Sequence, residues 1–434
     1  MSAPMSDAGS RGGHARAAHF DTLELRDPAL RERDLFVRLP LQVAHAKEHA
    51  PAFAKMLAAI DPRAITSRAA LATLPVTRKS ELVELQKAGR PFGGFAASGW
   101  HGHRSRAARV YASPGPLYEP ETARADYWRL ARSLVAAGFA PGDLIHNTFA
   151  YHFTPAGAMV DAAAQALGCT VFPAGTGQTE MQVQAIVELR PDGYVGTPSF
   201  LKIILDKADE SGADMSSITK ALVSGEAFPP SLRDSLQARG IAGYQVYASA
   251  DLGCIAYEST AREGLIVDED VIVEIVLPGT GDPVVAGEVG EVVVTTFNPD
   301  YPLLRFGTGD LSAIIPQSLS AASACGRTNA RLKGWLGRAD QTTKVKGMFV
   351  HPSQVADIVR RHPAIARARL VVDNPDGSDR MTLHCESAEP LQNFAEAVAA
   401  SIREVTKLRG EVAHCEPGSL PNDGKVVEDL RKYT

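Results

Sequence analysis

The 434-residue chain has little cysteine. Its five cysteines, Cys169, Cys254, Cys325, Cys385 and Cys415, are odd in number with no close pair, which fits unpaired thiols in a reducing compartment. There is no CxxC or HExxH run, so local sequence offers no metal site built by the protein alone. Basic charge is not in excess. Lys and Arg total 45 against 50 Asp and Glu, a formal net charge of −5, which argues against nucleic acid or a membrane surface as partner. No apolar run reaches the length a bilayer-spanning helix needs. The opening MSAPMSDAGSRGGHARAAHF is small and polar, without the apolar core of a signal peptide. Residues 1–18 are expected to be a disordered tail, and the protein cytoplasmic.

What is present is an ordinary globular composition, 45% hydrophobic and 22% charged, over a length that calls for two domains. From about Asp27 to Lys87 apolar residues recur at three and four positions, as in LFVRLPLQVAHAKEHAPAFAKMLAAI, and predict helix. GRPFGGFAASGWHGHRSR reads as a loop and ETARADYWRLARSLVAAGF as an amphipathic helix. Beyond it the short apolar runs LIHNTF, CTVFPA, GYVGT, KALVSG and YQVYAS alternate with the helical runs MQVQAIVEL, SFLKIILDKADESG and PSLRDSLQARG. That rhythm predicts a mainly parallel sheet with helices on its faces. Its functional residues would stand at the carboxyl ends of the strands. Near Val271 the pattern changes. VIVEIVLPGTGDPVVAGEVGEVVVTTF alternates apolar and polar residues between glycine-rich turns and predicts antiparallel strands, a small barrel. SLSAASACGRTNARLKGW is a long loop. From Gly337 a unit of roughly 100 residues shows a helix at PSQVADIVRRH, strands at ARLVVD and MTLHCE, and a helix at FAEAVAASIREVTKL. The expected fold is α/β. Residues 19–336 form a large N-terminal domain of mainly parallel sheets with helices plus a small antiparallel barrel-like part, and residues 337–434 a small mobile α+β domain.

Three motifs stand in order along this framework. RFGTGDLS holds Thr308 and Asp310, GRADQTTKVKGMFVHPSQV holds Arg338, Asp340, Lys344 and Gly347, and LPNDGKVVEDL holds Lys425. Each alone is weak, since TGD is commonly a turn and GK near a C-terminus is commonly surface. In this order, after a βαβ region and a switch to antiparallel strands, they resemble the adenylate-forming (acyl-CoA synthetase, AMP-binding) superfamily. GTPSFLKIILDKA, VSGEAFPPSLR, CGRTNARLKGWLGRAD and MFVHPSQV are similar to its phenylacetate–CoA ligase branch. The likeness extends over most of the chain beyond the tail. It implies that Asp310 accepts hydrogen bonds from both ribose hydroxyls, a task that suits the two acceptor oxygens of a carboxylate. It places Arg338 near ribose and phosphate, Asp340 at the interdomain hinge, and Lys425 where charge grows during adenylation. Tyr247 would lie against adenine, beside Gly225, Glu226 and Ala227 of the adenine segment. His152 and Phe153 would line the acyl pocket, and Lys344 with Gly347 would face CoA. Plainer roles stand beside these: a core tyrosine, a polar strand-end histidine, an exposed loop acid, a surface lysine.

The chain departs from the resemblance in three places. Where the family has a Ser/Thr/Gly-rich phosphate loop, this chain reads YASPGPLYEP. Pro114 and Pro116 remove two N–H donors, Glu119 stands for a lysine, and Ser113 is the hydroxyl left to bind phosphate. In YASADLG, Asp251 stands for a glutamate that helps hold Mg²⁺, and it remains a hard oxygen ligand. Where relatives carry Cys and His of a structural zinc site, this chain has Ser259, Ile266 and Ser323, with Cys325 alone retained. One thiolate does not close a tetrahedral site, so no zinc is expected.

Two functional readings follow. The first is an ATP-dependent acid–CoA ligase using ATP/AMP, Mg²⁺ and CoA on an aryl or related carboxylic acid, with a homodimer as a possible assembly. The second is a non-catalytic nucleotide- or acyl-CoA-binding protein on the same fold, which the altered phosphate loop favours.

Overall fold

The computed structural model describes residues 18–101, 106–113, 116–226, 228–277, 280–339, 341, 343–345, 348–350, 352–375, 379–388, 395–421 and 425–431. Its centre is an eight-stranded sheet. The strand order is Arg331–Leu332, Leu265–Val267, Gly253–Tyr257, Ala242–Ser249, Lys220–Val223, Gly193–Gly196, Leu144–Asn147 and Thr170–Pro173. The last five run parallel, and the first three join the Ala242–Ser249 strand antiparallel.

The crossovers of the parallel part are the helices Ala156–Leu167, Thr179–Leu189, Pro198–Ser211 and Pro230–Ala238. Pro198–Ser211 shows why. Proline opens it, where the missing N–H has no partner to lose. Leu201, Ile204, Leu205 and Ala208 form its buried stripe at helical spacing. Gly212, at φ 67°, ends it in the left-handed conformation that a residue with Cβ resists. Strand existence and helix positions in this region match the expectation from periodicity.

A second sheet carries the TGD motif. The strand Phe306–Ser312 pairs antiparallel with Gly290–Thr296, which pairs with Val271–Val276. On its other side it takes Thr77–Arg78 in parallel and Gly337–Arg338 antiparallel. The sheet is open rather than a closed barrel, which corrects the barrel-like part expected from the glycine-rich turns. The helix Pro28–His49 covers it, capped by the Asp27 carboxylate, which accepts from the N–H groups of Ala29 and Leu30. Leu35, Leu39, Val43 and Ala46 of that helix share one core with Ile272, Val292, Val294 and Phe306.

The expected helix over ETARADYWRLARSLVAAGF is largely absent. Glu121 and Thr122 end the strand Leu117–Thr122, and helix spans only Ala131–Ala136. Between them Asp126 and Arg129 adopt left-handed φ of 44° and 62°, which no helix interior tolerates. The aromatic pair Tyr127 and Trp128 is buried in the core rather than set on a helix face.

The C-terminal region has a four-stranded sheet in the order Glu411–Cys415, Arg380–Glu386, Arg367–Asp373 and Val427–Asp429. Helices Pro352–Arg361 and Ala395–Thr406 accompany it. Its apolar cluster is drawn wholly from between Val345 and Val427.

Candidate active site

The carboxyl ends of the parallel strands meet the open sheet at Tyr247. Its hydroxyl donates to Asp310 Oδ2 at 2.8 Å and lies 3.2 Å from Thr308 Oγ1. The other carboxylate oxygen of Asp310 accepts from the indole N–H of Trp335 at 3.1 Å. Asp310 also stands opposite Arg338 in the register of the two paired strands. Three residues singled out from separate motifs therefore converge, and both Asp310 oxygens face donors. Trp335, half-exposed beside them, was not anticipated. Its one signal in the sequence is its position just before GRAD.

The segment read as a phosphate loop is a hairpin. Ala107–Ser113 pairs with Leu117–Thr122, with Ser113 opposite Leu117 and Tyr111 opposite Glu119. Pro114 and Gly115 lie outside the described residues. Glu119 is fully buried in the second strand rather than exposed on a loop. Ser113 Oγ donates to its Oε1 at 2.5 Å. Burial, then the charge of Asp251, pushes the Glu119 carboxyl up to about 8. Asp251, itself buried, pairs through Oδ2 with Lys79 Nζ at 2.5 Å. Lys79 opens the helix Lys79–Ala88, directly after the short strand beside the TGD strand. Nothing in the sequence marked it, since it lies 172 residues from its partner.

At the end of the parallel strand Leu144–Asn147, Asn147 Nδ2 donates to Tyr151 OH at 2.7 Å, and Tyr151 OH donates to Asp161 Oδ1 at 2.6 Å. This network fixes the turn that presents His152 and Phe153. Both are exposed, Phe153 at 78% and with φ 62°. The Phe153 carbonyl accepts from Ala112 N–H at 2.7 Å, which ties this turn to the hairpin. Gly225 takes φ 86° after its strand. Glu226 is exposed, and its Oε1 accepts from Ser199 N–H at 2.6 Å, at the first turn of Pro198–Ser211. There it offsets the positive helix end. Ala227 lies outside the described residues.

Lys425 is half-exposed and pairs with Glu428 at 3.0 Å. The next residue, Val426, donates its N–H to Gln341 Oε1, as does Val427. Thr343 Oγ1 donates to Asp429 at 2.7 Å. The segment holding Lys425 is thus bound to the one holding Lys344, in the hairpin Thr343–Val345 with Met348–Val350. Asp340 and Gly347 lie outside the described residues.

The positions matched to zinc ligands do gather in part. Ser259 Oγ donates to Cys325 Sγ at 3.1 Å, and Ser323 Oγ lies 3.5 Å from the same sulfur. The hydroxyls complete the thiol's hydrogen bonding. Against the opposing effect of burial, hydrogen bonding with Ser259, Ser323 and Arg327 holds its pKa below the ordinary value.

Residues 130–298 match the family described as AMP-binding enzyme. A phenylacetate–coenzyme A ligase of Thermus thermophilus is 30% identical over 91% of this chain and 95% of its own length. That of Aromatoleum evansii is 30% identical over 88% and 90%, and that of Escherichia coli 29% over 91% and 93%. A crystal structure of 2-hydroxyisobutyryl-CoA ligase with 2-HIB-AMP and CoA aligns at TM-score 0.75 and 23% identity, over 97% of this chain and 94% of that one. Its likeness shows the fold. With a relative 30% identical along nearly its whole length, the chain belongs to the phenylacetate–coenzyme A ligase family of adenylate-forming, AMP-binding enzymes.

Proposed function

We propose that this chain is an AMP-forming acid–CoA ligase for an aryl or related carboxylic acid. The observation that carries the reading is the convergence of Tyr247 and Asp310 at the carboxyl edge of the parallel sheet. Asp310 offers two acceptor oxygens to the ribose diol, which would displace the Tyr247 and Trp335 donors. The ring of Tyr247 then has adenine against it. His152 and Phe153, fixed by the Asn147–Tyr151–Asp161 network, flank the acid.

In the first half-reaction an oxygen of the substrate carboxylate attacks the α-phosphorus of ATP. The bond to the bridging oxygen breaks, giving acyl-AMP and pyrophosphate. Lys425 neutralises the charge that grows between carboxylate and α-phosphate. In the second, the CoA thiolate attacks the acyl carbon, and AMP leaves. The C-terminal unit, with its own apolar cluster, turns about Asp340 between the two steps. It presents Lys425 first and the Lys344–Gly347 face second. The Mg²⁺ that the family implies fits Asp251, a buried carboxylate whose Oδ1 accepts no hydrogen bond among the described residues. When bound, it would offset phosphate charge.

The second reading, nucleotide binding without catalysis, draws on the buried Glu119 in the segment matched to the phosphate loop. Acid-dependent exchange of labelled pyrophosphate into ATP, over aryl and aliphatic acids, separates the two. Exchange with an aryl acid is the expected result. AMP binding without exchange for any acid would establish the second.

A further inference from the structure

The segment before GRAD runs back along the TGD strand and is fastened to it on both sides of Trp335. Lys333 N–H donates to the Ala313 carbonyl and Leu336 N–H to that of Leu311, each at 2.9 Å. Between them the Gly334 carbonyl accepts from Ser312 Oγ at 2.7 Å. Gly334 takes φ 108°, a conformation that a residue with Cβ resists. The chain turns there, and the indole N–H of Trp335 meets Asp310 Oδ1 at 3.1 Å. Tryptophan is on average well buried, yet Trp335 is 49% exposed. It leaves ring surface beside the carboxylate open to a ligand.

Asp310 is thus held from two elements. Trp335 donates to Oδ1 from the segment that leads to the C-terminal unit, and Tyr247 donates to Oδ2 from the parallel sheet at 2.8 Å. We propose that Trp335 is a positioning residue of the ribose site that sets how far the site tolerates a missing sugar hydroxyl. The inference rests on the ligase reading, which gives the ribose diol to Asp310. What it adds is a division of labour: Trp335 serves Oδ1, and Tyr247 serves Oδ2.

The physical argument is one of exchange. A ribose with both hydroxyls displaces both protein donors. A sugar that lacks one hydroxyl displaces one donor, and the other oxygen keeps the donor it already has. A lost hydroxyl is costly chiefly when it leaves an acceptor short of a partner. Here the protein refills the place, so a deoxynucleotide loses little. Without the Trp335 N–H, Oδ1 goes short by one donor whenever the hydroxyl that faces it is missing. On AMP itself Trp335 acts in two opposed ways. It fixes the plane of the carboxylate, which helps the diol, and it must be displaced, which hinders it. The response to a missing hydroxyl separates the role from general support, because a residue that only stabilised the fold would weaken all nucleotides alike.

The test is calorimetry of AMP, 2′-deoxy-AMP and 3′-deoxy-AMP on the full chain, on Trp335→Phe and on Tyr247→Phe. Phenylalanine keeps a ring at each place and removes the donor. Wild type should bind both deoxynucleotides within about fivefold of AMP. Trp335→Phe should weaken one of them, relative to AMP, by a further factor of about five or more and leave the other within about twofold. Tyr247→Phe should single out the other one. The chain has three tryptophans, and the difference between wild type and Trp335→Phe isolates the emission of this one, which AMP should shift. Deoxynucleotide ratios in Trp335→Phe equal to those of wild type, equal weakening of both, or a Trp335 emission that AMP leaves unmoved overturns the role. AMP binding with unchanged ratios overturns the role of Trp335 and leaves the ligase reading. The reciprocal pattern without pyrophosphate exchange upholds the role and counts against the ligase. A wild-type chain that binds no AMP overturns both.

Discussion

Tyr247 donates its hydroxyl proton to Asp310 Oδ2 across 2.8 Å, and this bond links the parallel sheet to the open sheet. The two residues are 63 positions apart, yet their motifs were readable separately. The bond also sets a competition, because the ribose must take the acceptor that Tyr247 now occupies.

Two substitutions resolve that competition. Asp310→Asn leaves one acceptor oxygen where the diol needs two. AMP should bind about 10- to 100-fold more weakly by calorimetry, as for loss of charge-assisted hydrogen bonds. Tyr247→Phe keeps the ring and removes the competing donor. AMP affinity should change less than about threefold. A large loss in Tyr247→Phe would show that the hydroxyl, not the ring, holds the nucleotide.

The parallel strands were legible because their apolar runs end in small or polar residues and the helices between them carry proline and glycine boundaries. TGD and GRAD were legible as motifs, and strand register then brings Asp310 opposite Arg338. The hairpin was not legible. Its inward positions are acids, Glu119 and Glu121, both buried, so the segment reads as polar loop. The helix expected across Tyr127, Trp128, Leu130 and Leu134 had the right spacing. It fails because Arg129 turns left-handed to bond Asp268 and the carbonyls of Leu252 and Cys254. Such long-range partners leave no local signal.

Glu226 gives a contrast between support and binding. Its carboxylate at the start of Pro198–Ser211 accepts from Ser199 N–H. Glu226→Ala should lower unfolding free energy by about 1 kcal/mol, the usual worth of such a contact. AMP affinity should stay within about twofold. A shift in affinity with unchanged stability would place Glu226 in the adenine site instead.

Lys425 is a surface pair with Glu428, so its removal should leave thermal stability nearly unchanged. Its effect belongs to one half-reaction. Lys425→Ala should slow adenylation by about 3–4 kcal/mol of barrier, as for other preorganised donors. Thioesterification of preformed acyl-AMP should change little. Rapid-quench measurement of each half-reaction decides it, and equal losses in both would assign Lys425 to structure.

Asp126 links stability to pH away from the site. Burial, outweighing the bonds from the Ala131 and Leu130 N–H groups, raises its carboxyl from 3.8 to about 6. The fold therefore favours the protonated form. The stability this gives is full below about pH 4 and is lost as pH rises through 6. Asp126→Asn cannot ionise, retains an acceptor for Leu130, and suits φ 44°. It should raise stability above pH 6 by on the order of 1–2 kcal/mol and make no gain near pH 4. Urea unfolding at both pH values tests this, and an equal gain at both would point to the backbone conformation alone.

The C-terminal unit should separate from the rest under protease. Among the described residues its apolar cluster lies between Val345 and Val427 and draws on none outside that span. Gln341 and Thr343 bond to Val426, Val427 and Asp429, all within the same unit. On the other side, Leu336 N–H donates to Leu311 and Lys333 N–H to Ala313, both in the large domain. Gly337–Arg338 still pairs with the TGD strand and Ala339 N–H donates to Gly309, so hydrogen bonding changes allegiance between Ala339 and Gln341, while Leu319, Trp335 and Leu336 stay exposed. A protease at low dose should cut between about Pro316 and Thr343 first, at the exposed stretches 319–322 and 335–336. The two fragments should then keep their secondary structure, since each retains its own core. First cleavage within the strands and helices of residues 144–249, with the 316–343 region intact, would mean that the two parts unfold as one body. A turn about Asp340 between the half-reactions would then have no structural basis.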